Sequence, residues 1–327
     1  MAIRDLVAAI AVLVLASAPA WSADAVAYKL VKTIDLPGSK GGKGGEVAFD
    51  PDTGTVWLCQ SPNRNIVVVE TKTNTVRQAI EVIDNGGGIA FSEHFAFISD
   101  RMDNTTTVIG KRSFETAVAL KPDGNSPGAT YFDPKHGTLW VTSGSEMTIF
   151  KAVGRGGFKR LAGLRLVPYP VKQGAGQGIY VAAKDRIYQP VDGVVDVINP
   201  NSRQVERAWQ PGEAGRVTSI AYDTKSDRLI LGTDAQAVLV LDAKSGKLLH
   251  TIPVGGKIGA VAVDAGLRRA YAGDLRGRVD VIDLDRNAVL TTLPSEPEAY
   301  GLTVDPTTHF VYVYRSMSNK LDVFAPK

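Results

Sequence analysis

From residue 28 to its end the chain is built of short apolar runs, each about 4–6 residues, set between polar turns. The runs come in register. Ser219-Ile220-Ala221-Tyr222-Asp223, Ala260-Val261-Ala262-Val263-Asp264 and Gly301-Leu302-Thr303-Val304-Asp305 end on aspartates 41 residues apart. Earlier copies are Glu46-Val47-Ala48-Phe49-Asp50, Gly88-Ile89-Ala90-Phe91-Ser92 and Ala129-Thr130-Tyr131-Phe132-Asp133, and a blurred one falls at Gly178-Ile179-Tyr180-Val181-Ala182. About twenty residues after each comes a second apolar run. Examples are Ile66-Val67-Val68-Val69-Glu70, Leu239-Val240-Leu241-Asp242 and Asp322-Val323-Phe324-Ala325. A β-rich stretch lies between the two anchors, such as Val56-Trp57-Leu58-Cys59-Gln60, and a turn and a fourth run follow the second anchor.

Gly, Pro, Asn, Asp and Ser crowd the turns, where their backbone preferences suit tight reversal. The apolar runs are continuous rather than alternating, as strands covered on both faces require. No stretch carries a convincing 3.6-residue period. Four strands per repeat, seven times over, predict an all-β chain folded as a seven-bladed β-propeller with four-stranded blades. The last copy stops at Ala325-Pro326-Lys327, after its third strand. Its missing fourth strand is supplied by Lys29-Leu30-Val31-Lys32-Thr33-Ile34-Asp35-Leu36-Pro37, which reads like Lys247-Leu248-Leu249-His250-Thr251-Ile252-Pro253. Residues 28–37 are therefore expected to close the ring and cover the edges an open array would expose.

The start of the chain follows another logic. Arg4 precedes an apolar stretch from Leu6 to Leu15, too short to span a bilayer, and small residues follow it. Residues 1–23 are expected to be a secretory signal, cleaved between about 20 and 25. That leaves 26–327 as one propeller domain, periplasmic or secreted, with no membrane insertion of the mature chain. Cys59 is the single cysteine, so no internal disulfide is available; in its apolar strand it reads as a buried small hydrophobe. The 37 basic and 34 acidic residues balance to a net charge of +3, which gives little support to a polyanionic partner.

The repeat phrase, the Trp140-Val141-Thr142-Ser143 stretch and the Asp-x-x-Ser/Thr turns resemble the YVTN-type propeller repeat, and the whole mature chain resembles the YncE-like family of exported bacterial seven-bladed propellers. The Gly-His and Trp-Asp signatures of WD40 repeats do not occur. The resemblance implies the fold. It leaves function open, because some family members are associated with single-stranded DNA and related propellers include lactonases and partners of periplasmic redox enzymes.

Candidate chemistry is expected where the copies diverge, on the loops joining blades and those between second and third strands. Arg64, Asp100, Arg101, Asp234, Asp274, Arg276, Arg278 and Arg315 lie there and could bind a polar ligand. Asp100, Asp234 and Asp274 are read as one repeat position. With Glu46, the one acidic residue at the head of an inner strand, they form a candidate site for calcium or another divalent cation. His94, His136 and His309 fall in turns on the other face and His250 on an outer strand, away from that chemistry. The loop Gly38-Ser39-Lys40-Gly41-Gly42-Lys43-Gly44-Gly45 lacks the phosphate-loop spacing and is expected to be a mobile connection. There is no Cys-x-x-Cys-His for haem.

No recognisable catalytic constellation emerges, so the leading expectation is a non-catalytic propeller that binds a polar ligand or a periplasmic protein at its loop-rich channel face. The first alternative is a divalent-metal-dependent hydrolase or lactonase. The second is binding of single-stranded nucleic acid through a basic rim, with stacking on Tyr300 or Tyr314.

Overall fold

The computed structural model describes residues 28–154, 156–212, 215–297 and 301–327. The proposed signal segment lies outside the described residues. Seven four-stranded antiparallel sheets form the seven blades of a propeller. Their inner strands are Val47–Asp50, Gly86–Phe91, Pro127–Asp133, Ile179–Val181, Val217–Asp223, Ile258–Asp264 and Leu302–Val304. The blurred fourth copy of the sequence phrase is one of the two shortest of these, at three residues. The described residues contain one short 3₁₀ turn, Ser61–Asn63.

The closing strand forms as expected. Tyr28–Asp35 pairs antiparallel with Lys320–Pro326 and becomes the outer strand of blade 7. Thr33 Oγ1 donates to Asp322 Oδ1 at 2.6 Å, the Tyr28 and Tyr271 hydroxyls meet at 2.8 Å, and Ile34 and Leu36 are buried.

The blade faces explain the continuous apolar runs. Second strands such as Thr55–Gln60 and Thr138–Ser143 are buried at every residue. Outer strands such as Gln204–Trp209 are largely exposed. Seven apolar clusters occupy the seven seams between neighbouring blades. The seam between blades 7 and 1 sets Tyr312, Tyr314, Leu321 and Val323 against Val56, Leu58, Val67 and Val69, with Ile34 and Leu36 from the closing strand.

Towards the axis the blades converge and side chains must shrink. A Cβ on Gly45 would lie 2.9 Å from the Gly86 carbonyl oxygen, and one on Gly88 would lie 2.4 Å from that of Gly128. Both are closer than real contacts allow, so glycine here is a packing requirement.

The recurring aspartates are turn caps, and Asp50, Asp223 and Asp264 also bind the next blade. Asp305 accepts from Thr307 N at 2.8 Å and from Thr308 Oγ1 at 2.8 Å. Asp223 receives Arg268 of blade 6 at 2.6 Å, and Asp264 faces His309 of blade 7 at 2.7 Å. Asp50 pairs with Lys111 of blade 2 at 2.9 Å, with both groups buried. On the third strands a matching position holds the incoming connection. Thr148 Oγ1, Asp196 Oδ2 and Asp280 Oδ2 accept from the backbone N–H of Asp123, Val167 and Gly255 at 2.7, 2.8 and 3.1 Å.

The glycine-rich loop is pinned, which corrects the expectation of a mobile connection. Gly42 N donates to Ser316 O at 3.2 Å and Lys40 N to Asn63 Oδ1 at 3.0 Å. Asn319 Nδ2 donates to the carbonyls of Leu36, Pro37 and Gly38 at 3.1, 3.2 and 2.8 Å. The loop's glycines fit against backbone: a Cβ on Gly41 would overlap the Met317 carbonyl oxygen.

Two predictions follow from closure and the seams. Deleting residues 28–36 removes the burial of Ile34 and Leu36, about 3–6 kcal/mol for the two side chains. The melting temperature followed by circular dichroism should fall by roughly 10 °C or more, and an unchanged value would contradict closure. Lys111→Met leaves the Asp50 carboxylate buried without its cation and should destabilise by about 3–5 kcal/mol in denaturant titrations. Adding Asp50→Asn should recover most of that loss.

Candidate functional site

On or just before the inner strands one repeat position faces the channel, and its occupants are Glu46, Gly88, Ala129, Gly178, Ser219, Ala260 and Gly301. Five of the seven are Gly or Ala. Glu46 and Ser219 break the rule, and both line a cavity of about 440 Å³ in the channel. Three residues ahead of each, and of Ala260, stands a base: Lys43, Arg216 and Lys257, from blades 1, 5 and 6. All three line the same cavity, and Arg101, just after the second strand of blade 2, joins them. Gln177 and the backbone of Gly87 and Gly176 complete the wall.

Among the described residues the carboxyls of this cavity are two, Glu46 and Asp234. Asp234 Oδ1 accepts from Arg216 N at 2.8 Å, and its Oδ2 lies 3.9 Å from Arg216 Nε. Glu46 Oε2 accepts from Ile89 N at 3.2 Å. Glu46 is half-buried, set among the inner ends of the blades and facing the cavity. Burial pushes its carboxyl up to about 8, against the opposing pull of the Ile89 N–H and the Arg101 charge. Near neutral pH it is therefore mostly a carboxylic acid, and the lining is left with an excess of positive charge. Ser219 is 4% exposed and its Oγ has no hydrogen-bond partner among the described residues. That hydroxyl is itself shut off from the cavity, so leaving it without a partner is a cost of the packing here.

The residues singled out in the sequence divide. Arg101 and Asp234 reach the cavity with Glu46. Asp100 does not: it is buried and receives the backbone N–H groups of Asp84, Asn85, Met102 and Asp103 at 2.6, 3.1, 3.0 and 3.3 Å. Asp274 likewise accepts from Arg276 N at 2.9 Å and Arg278 N at 3.1 Å. Nor do the three aspartates share one position. Asp100 pairs with Gly86 and Asp274 with Ile258 at the strand ends, but their counterpart in blade 5 is Thr233, one residue before Asp234. The expected cluster of Glu46, Asp100, Asp234 and Asp274 is therefore not assembled. Among the described residues the grouping with cation-ligand spacing is Asp133, His136 and Asp185, in the turns of the opposite face. There His136 Nδ1 lies 2.6 Å from Asp133 Oδ2, and Lys135 is paired with Asp185.

The other arginines are committed to neighbours. Arg64 pairs with Asp84 outside the channel, Arg278 lies 3.0 Å from Asp280 Oδ1, and Arg315 sits 3.5 Å from Glu296 and 3.4 Å from Asp322. Arg276 Nη1 donates to Gly255 O at 3.4 Å. Tyr314, expected as a stacking platform, is buried at the seam of blades 7 and 1, and Tyr300 lies outside the described residues. Cys59 is buried as expected, and burial with the Glu46 charge raises its thiol far from the reactive range.

Sequence reasoning missed Arg216, Lys257, Gln177 and Ser219. Three of these four were visible as repeat columns, because Arg216 and Lys257 stand 41 residues apart and Ser219 interrupts a Gly/Ala column.

No family model matches the chain and no curated protein matches it. The chain is similar in structure to Kuenenia stuttgartiensis hydrazine synthase, with a TM-score of 0.76 at 14% identity over 87% of this chain and 96% of that chain. At that identity the likeness is one of fold.

The Glu46 carboxyl makes a pH prediction. The unfolded chain releases this proton near about 4.3, the folded protein near about 8. Folding is therefore favoured most below the lower value, loses stability as pH rises between the two, and levels off above about 8. Asp196, pushed up to about 7 by burial, acts in the same direction, so the comparison must be with a Glu46 variant. Glu46→Gln should melt increasingly above the wild type as pH rises from about 5 to about 8. A melting difference that stays constant over that range would refute the assignment.

Proposed function

We propose that this protein is an exported propeller of the YncE-like kind that binds a small oxyanion-bearing ligand, a carboxylate or phosphate, in the channel cavity. The observation that carries the reading is the convergence of Arg101, Arg216 and Lys257 on one cavity whose carboxyls, among the described residues, are an aspartate paired with Arg216 and a proton-bearing glutamate. A volume of about 440 Å³ suits a small molecule, and ligand pockets commonly fall between about 300 and 1,000 Å³. Arginine and lysine on different blades present donors from several directions, which suits planar or tetrahedral oxyanions. The repeat phrases support the family placement. The short apolar stretch at the start of the chain supports export to the periplasm.

The two other readings have less behind them. A metal-dependent hydrolase needs carboxylates gathered about an ion, whereas Asp100 and Asp274 lie outside the cavity lining, Asp100 and Asp274 Oδ1 being turned onto backbone N–H groups. A single-stranded nucleic acid needs aromatic faces for its bases; Tyr314 is buried in a blade seam, and among the described residues no aromatic side chain lines the cavity.

Calorimetric titration with a panel of mono-, di- and tricarboxylates and phosphate esters should find saturable binding that weakens with salt. Arg101→Ala and Lys257→Ala should each weaken it by about 1.5–3 kcal/mol, or roughly 10–150-fold, with the fold intact by circular dichroism. Binding unaffected by both substitutions would move the ligand elsewhere.

A further inference from the structure

Glu46 is out of place in two ways at once. It stands in the column where the other blades require Gly, Ala or Ser, so packing does not ask for it. Among the described residues it also puts a carboxyl into a cavity whose other charged side chains are mostly basic, and it forms no ion pair with them. A carboxylate placed simply to neutralise Arg101 would be drawn into contact with it. Instead Glu46 Oε2 takes a backbone N–H from Ile89 in the adjoining blade, and among the described residues Oε1 takes no hydrogen bond. That oxygen is left for whatever enters the cavity.

We propose that Glu46 meets the bound anion as a carboxylic acid, donating its Oε1 proton to a ligand oxygen, so that binding is coupled to one proton and the anion is released when the carboxyl ionises. This inference rests on the channel being the anion site. The donated proton explains why an acid stands among the bases. A fifth cation would add charge and desolvation cost, whereas a neutral acid adds a directional donor that only an oxygen-rich anion can use. Once ionised, the same group sets a negative charge against the ligand in a site of low dielectric, where repulsion is strong.

The groups around Glu46 are compatible with this role. Cys59, on the second strand of its own blade, has its thiol raised by burial and so stays neutral. Tyr131, from the inner strand of blade 3, has its hydroxyl raised by burial too. It is fully engaged, donating to Gln189 Oε1 at 2.7 Å and accepting from Gly178 N at 2.9 Å. Asp100 is turned onto its loop backbone. Arg101 is the facing cation, and it lowers the Glu46 carboxyl only partly against burial. Across the cavity stand Lys43, Lys257 and the Arg216–Asp234 pair. Burial has therefore set the carboxyl to titrate at about 8, where modest changes of pH alter its occupancy.

Sulfate is the test probe, because its own charge does not change between about pH 6.5 and about pH 9.5. Calorimetric titration of the wild-type chain should show an affinity that falls roughly thirtyfold across that range, the loss expected if only the protonated form binds. Proton uptake near one per sulfate should appear above about pH 8, read from the dependence of the heat on buffer ionisation. Glu46→Gln keeps a donor that cannot ionise and should bind sulfate with little change between the two pH values. Glu46→Ala matches the residue of blades 3 and 6, so it should fold. It should lose the pH dependence and bind several-fold more weakly than Glu46→Gln at the lower pH. Wild-type affinity independent of pH, or the same pH dependence in Glu46→Gln, would overturn the proposal while leaving the anion site standing. Equal affinities for the Ala and Gln variants would overturn the donor role. No sulfate binding by any of the three would overturn the anion site and this inference together.

Discussion

Every seam in this protein depends on one pairing, that of Tyr28–Asp35 with Lys320–Pro326. A blade has two apolar faces, and neither can be left in water. A row of such blades always has two uncovered faces; a ring has none, provided the first and last blades meet. Here they meet because blade 7 is built from both ends of the described chain, so parting the seam between blades 7 and 1 also means pulling a strand out of a sheet. The cluster at that seam shows the dependence directly. Ile34 and Leu36 belong to the closing strand, yet they pack with Val56 and Leu58 of blade 1 and with Tyr312 and Leu321 of blade 7.

The ring imposes a second constraint at its centre. Inner strands converge on the axis, so the column facing the channel must be small, and most of it is Gly or Ala. That turns a packing rule into a filter for function. A residue that obeys the column says nothing about chemistry, while one that breaks it has a cost to offset. Glu46 and Ser219 are the exceptions, and each has polar capacity the protein itself leaves unused: a hydroxyl without a partner and a carboxyl oxygen open to the cavity. The bases three residues ahead sit where the chain enters the blade and has room for long side chains.

This geometry decides what could be read before the structure. The 41-residue period is written in strands that must be apolar, so the blades, their number and the closing strand were all legible. The site was legible only in part. Charged loop residues such as Asp100 and Asp274 look alike whether they serve a ligand or a turn, because a carboxylate satisfies four backbone N–H groups as well as it satisfies an ion. Which way it points is settled by the loop's path, and sequence spacing does not carry that. Asp234 shows how a single residue of register changes the outcome: one step beyond the column of Asp100 and Asp274, it reaches the channel and holds Arg216. The informative comparison was between copies at the inner strands, where steric demand is strict enough for an exception to stand out.

The two faces of the ring also differ electrically, and the difference bears on how a ligand arrives. On the face away from the cavity, aspartates gather in the turns, but several are matched across the seams: Asp50 by Lys111, Asp223 by Arg268, Asp264 by His309. Their charge is spent locally on holding blades together. At the cavity the balance is the reverse. Among the described residues Arg101, Arg216 and Lys257 share the cavity with Asp234, which pairs with Arg216, and with Glu46, whose carboxyl burial pushes up to about 8. A charge excess in such a cavity would concentrate the field along the channel and draw an anion inward, which accords with the anion site proposed above. On the proposed reading, the charges that hold the blades together and the charges that would recognise a ligand therefore lie on opposite faces of the same repeat.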